Sequence, residues 1–393
     1  MATNEIFISM KQYFASFVLG IACMTCLSVT PVYGRDGKGK DKANGVSLAQ
    51  ARLAAIVAKE RRLLAVASGK KTMNEKELTR KTQDLVADYE SYLADNPKDQ
   101  TALILYGKFL WRVDQSGPAT GMFLEADKID PEVAVVKQQI ANYLTEKGRI
   151  AEALPYLLRA VELSPETAVY HHQLGSFLFL FRDELIRLGV TTRSSNDRNM
   201  VIAFREAAKL GHGKFEYRLR YAQSFFDVAN PDWEEALRVW RELSNEENRA
   251  PVEAEYLFLC QARVLLELKR REEAKTLIDR VHSPVMGATK RRLLDLLATP
   301  PEKPTESSPP AFDEAKPIKN KNSQWKRPTS DELFFDDDLK NLREIAERLE
   351  EEKLLRGLRV ESVRATYDEK GRVKVSLRGL AEVDRPERTS PNL

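Results

Sequence analysis

The sequence predicts an all-α chain, a helical-hairpin solenoid, followed by a smaller C-terminal module. Three observations carry this. Pro97, Pro131 and Pro165 stand 34 residues apart, in the settings ADNPKD, KIDPEV and ELSPET. Between them, apolar and small residues recur in step. One unit shows Leu103, Tyr106, Gly107, Leu110, Ala119, Phe123 and Ala126; the next shows Ile140, Ala141, Leu144, Ala153, Leu157 and Ala160. A fixed period of this kind marks stacked units, none of which buries its apolar face alone. The composition agrees, because 42% apolar content in 393 residues supplies a large core and 31% charged residues suit many exposed helix faces.

Taken in order, the chain opens on a segment that reads as an export signal. Lys11 precedes an apolar run from Tyr13 to Met24, and Val32-Tyr33-Gly34 offers a small-residue cleavage site, so residues 1–34 are expected as a signal peptide. Two alternatives stay open, an uncleaved membrane anchor and lipidation at Cys23. The second rests on Gly20-Ile21-Ala22-Cys23, a faint lipobox in which glycine replaces the usual leucine. Cys23 and Cys26 both lie within the expected signal peptide, which leaves Cys260 alone and no disulfide framework in the mature chain. The sequence has no N-x-S/T sequon, which favours a bacterial envelope over a eukaryotic secretory route. Residues 35–46 are polar and glycine-containing, a disordered tether.

Residues 47–298 hold about five repeats with caps. Ser47 caps a first helix that runs to about Ser68, and Gly69 ends it. A second helix from about Asn74 to Ala94 carries Leu85, Tyr89 and Tyr92, and together the two read as a degenerate opening repeat. Two regular units follow. The third, with His171, Leu174, Gly175 and Leu178 in its first half and Phe204, Ala207 and Leu210 in its second, exceeds the period. The excess falls at 181–199, read as a first helix overrunning to Leu188 and then a polar loop, VTTRSSNDRN. Insertions in such arrays map to loops, where specificity is often added. The fourth unit shows Tyr221, Ala222, Phe225, Ala236, Trp240 and Leu243 around the turn Asn230-Pro231-Asp232. The fifth shows Phe258, Ala262, Leu265, Ala274, Ile278 and Val281, and a helix over 290–297 closes the array.

Residues 299–329 are proline-rich and poor in apolar residues, a linker that stays extended. Residues 330–380 read as a helix plus β-hairpin. Phe335, Leu339, Leu342, Ala346 and Leu349 form a short a/d seam, and Val363, Ala365, Tyr367 then Val373, Val375, Leu377 alternate on either side of a turn. Residues 381–393 form a disordered tail.

The 34-residue period, with its aligned small residues and prolines, resembles the tetratricopeptide repeat (TPR) family. The resemblance implies a right-handed, TPR-like superhelix whose first helices line a concave groove that binds peptides or helices. Carried over residue by residue, the groove positions include Lys108 and Trp111, Gln138 and Asn142, His172 and Ser176, Gln223, and Arg263. Phe179 and Phe226 are their aromatic neighbours. Lys108 and Asn142 match two parts of the set with which chaperone-binding relatives clamp a terminal carboxylate. The third repeat puts His172 and Ser176 where that set has Lys or Arg, so the full clamp is not matched.

Catalysis finds little support. The sequence holds no G-x-S-x-G, H-E-x-x-H, P-loop or glycine-rich dinucleotide turn. His171 and His172 are neighbours, which point about 100° apart on a helix and cannot chelate one ion from a single face. His171 occupies a packing position. No enzyme activity, metal, cofactor or small-molecule substrate is expected. A net charge of +3 gives no whole-chain case for nucleic acid. The sequence thus points to an exported, non-catalytic scaffold for protein-protein interaction, in the periplasm or cell envelope. Its groove would hold one partner and its C-terminal module another. Exported members of the family often serve pilus, secretion or outer-membrane assembly. Self-association as a homodimer through the C-terminal helix, and an envelope lipoprotein of the same family, are the alternatives.

Overall fold

The computed structural model of the chain describes residues 47–68, 73–245, 249–298, 342–351, 358–367 and 373–382. The predicted signal peptide, tether and Pro-rich linker lie outside the described residues, as do Phe335 and Leu339 of the seam. In chain order the helices are α1 (Leu48–Ser68), α2 (Glu75–Asp95), α3 (Gln100–Arg112), α4 (Ser116–Ile129), α5 (Ala134–Glu146) and α6 (Ile150–Leu163). Then come α7 (Ala168–Leu180), α8 (Arg182–Arg187), α9 (Arg193–Leu210), α10 (Phe215–Ser224), α11 (Trp233–Ser244), α12 (Pro251–Glu267), α13 (Arg271–Asp279) and α14 (Gly287–Ala298). The module adds α15 (Leu342–Glu351), β1 (Leu358–Tyr367) and β2 (Val373–Glu382). The chain divides into two compact units, Met1–Leu163 with Asp336–Leu393, and Ser164–Phe335.

In the first unit α1 packs with α2, α3 with α4, and α5 with α6. Each start has a chemical cause. Ser47 and Gln50 form a reciprocal capping box at 3.0 and 3.1 Å. Asn74 accepts the Glu77 N–H at 2.9 Å, and Asp99 accepts both the Ala102 N–H at 3.1 Å and the Tyr92 hydroxyl at 2.6 Å, which ties the end of α2 to the start of α3. The turn inside a pair also repeats. Asp114 and Gly148 have φ of 67° and 71°, and the N–H groups of Gln115 and Arg149 reach back to the carbonyls of Leu110 and Leu144 at 2.9 and 2.8 Å. This is a Schellman closure, which satisfies carbonyls the helix end leaves orphaned.

Two buried ion pairs lie among the apolar residues of this unit. Glu60 of α1 accepts the Tyr89 hydroxyl at 2.6 Å and pairs with Arg112 at 2.7 Å; burial raises its carboxyl above the usual range, and the two partners pull it back. Lys137 of α5 meets Asp127 of α4 at 2.8 Å. The C-terminal module completes the unit. β1 and β2 pair antiparallel with Ala365 opposite Val375, and β1 packs on α2. Val363, Ala365 and Val375 are buried, with Ile345 and Leu349 of α15. The seam read from the sequence included Leu349 but not Ile345, and it gave Ala346 a place that the structure leaves half-buried.

In the second unit α7 pairs with α9, α10 with α11, and α12 with α13, and α14 packs on α12 and α13. The expected overrun of the first helix to Leu188 and the polar loop after it are corrected. Helix α7 ends at Leu180, a separate short helix α8 follows, and residues 193–199 form the first turns of α9, capped by the Thr192 hydroxyl at 3.3 Å from the Ser195 N–H. The polar residues are there because they are used. Asn196 is fully buried and donates to the Leu178 carbonyl at 3.0 Å. Asp197 meets Arg182 at 2.9 Å and Arg193 at 3.1 Å.

Candidate interaction surface

In the first unit, Lys108 and Trp111 lie on α3, and Gln138 and Asn142 lie on α5. Lys108, Trp111 and Asn142 are half-buried, whereas Gln138 is only 3% exposed. Lys108 and Asn142 occupy the same place in successive repeats, one 34-residue period apart. One turn before Lys108, Leu105 lines an open cleft of about 610 Å³ whose other wall is α1, through Leu53, Ala54, Val57 and Arg61. Residues at this spacing share a helix face. Leu105, which closes the cleft, and Lys108 thus lie on one face of α3.

In the second unit, His172 and Ser176 lie on α7, Gln223 on α10 and Arg263 on α12. Ser176 is buried at 5% exposure and the other three are half-buried. Gln223 donates to the Tyr256 hydroxyl at 3.1 Å, which joins α10 to α12. Arg263 lies over the Phe226 ring, 4.1 Å from its centroid. Arg263 and Lys108 are both half-buried. The His172 ring lies 4.9 Å from Tyr217 and 5.8 Å from Phe204. Burial, with the Arg220 charge adding to it, pushes His172 down to about 4. His171 is buried and bonded to the Pro165 carbonyl at 2.7 Å.

Arg220, Asp227 and Tyr256 were not picked out by sequence reasoning, yet they organise this surface. Arg220 is 6% exposed, its guanidinium held between Phe179 and Phe204 at 4.4 and 4.2 Å and paired with Asp227 at 2.9 Å. Its Nη2 has no hydrogen-bond partner among the described residues. The only available signal was Phe179 and Phe204 in the first and second halves of one repeat, which frame a slot without naming its occupant.

Two features recur along the helical hairpins. The Schellman turn recurs at Lys269, with φ of 62° and the Arg270 N–H on the Leu265 carbonyl at 2.8 Å. The first helices α3 and α7 also carry a glycine where the second helix presses in. A Cβ on Gly107 would stand 2.7 Å from the Phe123 ring, and one on Gly175 would stand 2.9 Å from the Phe204 ring. The chain is built of stacked helical hairpins.

Solved structures similar to this chain include YrrB, described as a TPR protein with an unusual peptide-binding site, at 15% identity over 53% of this chain and 97% of that one, with a TM-score of 0.41. Pseudomonas aeruginosa PilF is similar at 14% identity over 62% and 98%, with a TM-score of 0.40. Desulfovibrio magneticus RS-1 MamA is similar at 13% identity over 51% and 95%, with a TM-score of 0.35. Likeness at this level says nothing of what the repeat surface binds. No protein-family model and no curated protein matches the sequence. Among the described residues, no three His, Cys, Asp or Glu side chains are placed to hold a metal ion, and no helix is long and apolar enough to cross a membrane.

Proposed function

We propose that the chain is a non-catalytic scaffold of the bacterial cell envelope that captures a protein partner on the first-helix surfaces of its repeats. The partner presents an extended peptide or a helix, and the setting is the assembly of an envelope complex such as a pilus or secretion machine. The observation that carries this reading is the surface of the first unit, where Leu105 of α3 closes an apolar cleft against α1 and Lys108, three residues on along α3, has its counterpart one period later in Asn142 of α5. Apolar anchors with a few polar groups suit recognition of a peptide or helix. In the second unit Gln223, Arg263 and the Phe226 ring offer the same mixture.

Lys108→Glu and Arg263→Glu test the binding reading. Each should weaken partner capture at least tenfold, with unchanged circular dichroism. Full capture by both variants would remove the first-helix surfaces from the account. Export rests on residues 1–34 and has its own test. N-terminal mapping of the mature chain should place its start near residue 35 in an envelope fraction, and an intact leader on a chain found in the cytoplasm would sink it.

A further inference from the structure

We propose that the rim formed by the intra-pair turns of the first unit is a receptor for a strand pair, and that its occupant is this chain's own residues 342–382, docked in cis as a detachable cap. The rim consists of the start of α2, the α3–α4 turn and the start of α6, and each of these meets the module through named atoms.

A two-stranded hairpin is marginal by itself and has two open edges. In an antiparallel ladder every second residue pair turns its N–H and C=O groups outward, away from the partner strand. Ala365 and Val375 face one another across the ladder, and both direct these groups to the rim. On the β1 edge, the Thr79 hydroxyl of α2 accepts the Ala365 N–H at 2.9 Å and donates to the Ala365 carbonyl at 3.0 Å. On the β2 edge, the Val375 N–H donates to the Val113 carbonyl at 3.1 Å, and Gln115 Nε2 donates to the Val375 carbonyl at 2.6 Å. The Val113 carbonyl belongs to the last turn of α3, where a helix leaves its acceptors without intrahelical partners. One residue pair is therefore gripped at both edges, and the grip reads backbone rather than side chains.

Besides the apolar packing of β1 on α2, the remaining polar contacts are modest. Lys374 meets Asp114 at 3.3 Å and Arg348 meets Glu152 at 3.2 Å. Exposed pairs of this kind contribute little and weaken with salt. Glu152 also holds Arg149 at 2.6 Å, so it keeps a partner when Arg348 leaves. Attachment to the same chain supplies a high local concentration of the module, which lets a weak contact stay mostly closed and still open. While it is closed, the pairing groups of Thr79, Val113 and Gln115 are unavailable to any outside strand.

Hydrogen exchange on the full chain tests this sharply, because the Ala365 and Val375 amides point out of the ladder and gain protection only from the rim. Both amides should exchange at least tenfold more slowly than unstructured chain, independently of protein concentration. Thr79→Val should release Ala365 by about tenfold while amides in α4 stay protected. Gln115→Ala, at the opposite edge, repeats the test should the first variant disturb α2. Unprotected Ala365 and Val375 amides in the unaltered chain would overturn the proposal, as would two variants without effect. Protection that grows with protein concentration would also overturn it, by making the occupant a second copy.

Discussion

Removing the charge of Lys137 should destabilise the first unit far more than removing the whole ion pair. The Nζ of Lys137 lies 2.8 Å from Asp127, with side-chain exposures of 7% and 12%, and 5.7 Å from the Tyr156 ring centroid. At an effective dielectric of about 20, unit charges at that distance attract by about 6 kcal/mol. Desolvation costs several kcal/mol per ion, so the net contribution of the pair is small. Lys137→Met keeps the stem packing but leaves Asp127 buried without its cation, a change that costs about 3–5 kcal/mol; the residual exposure of Asp127 places it near the lower end, about 3 kcal/mol. The double variant Asp127→Leu/Lys137→Met should come within about 1 kcal/mol of the parent. Urea unfolding followed by circular dichroism reads both. A single variant less than about 0.5 kcal/mol below the parent would show that water already screens the pair, and would refute the α4–α5 packing on which the argument rests.

Two further outcomes follow from the same packing. Gly107→Val puts side-chain atoms into the Phe123 ring, where even a Cβ would stand at 2.7 Å, and should cost about 1–3 kcal/mol by thermal unfolding; an unchanged melt would place the helix contact elsewhere. The second prediction concerns pH. The His172 pKa is depressed to about 4 from an ordinary 6.5, so the unfolded chain binds a proton between these values that the folded chain refuses. Stability of the second unit should fall as pH drops from about 6.5 to 4, by up to about 3 kcal/mol, and His172→Gln should flatten that slope. Equal slopes in the two proteins would exclude His172 as the cause.

The parts of the fold that a sequence shows well are those that recur. Small residues at 107, 141 and 175 are legible because paired helices approach there. What escaped has one physical cause. Apolar periodicity assigns polar residues to the outside, so it read residues 193–199 as a loop, although Asn196 and Asp197 are buried and bonded. The same bias hid Lys137 and Arg220. The groove positions carried over from the resemblance included Gln138 and Ser176, which the structure buries. Alternation did reveal the hairpin strands. It could not reveal what they pack on, because the Thr79 and Val113 bonds go to backbone atoms that no side-chain pattern encodes.

The central claim, that the first-helix surface is where a partner is held, is tested most directly by site-specific photocrosslinking in native cells. A photoreactive residue at position 108 on α3 is compared with one at position 162, an exposed site on the second helix α6. The account predicts a discrete crosslinked product from position 108, lost in the Asn142→Arg background, and none from position 162. The same product from both positions, or from position 162 alone, would contradict it.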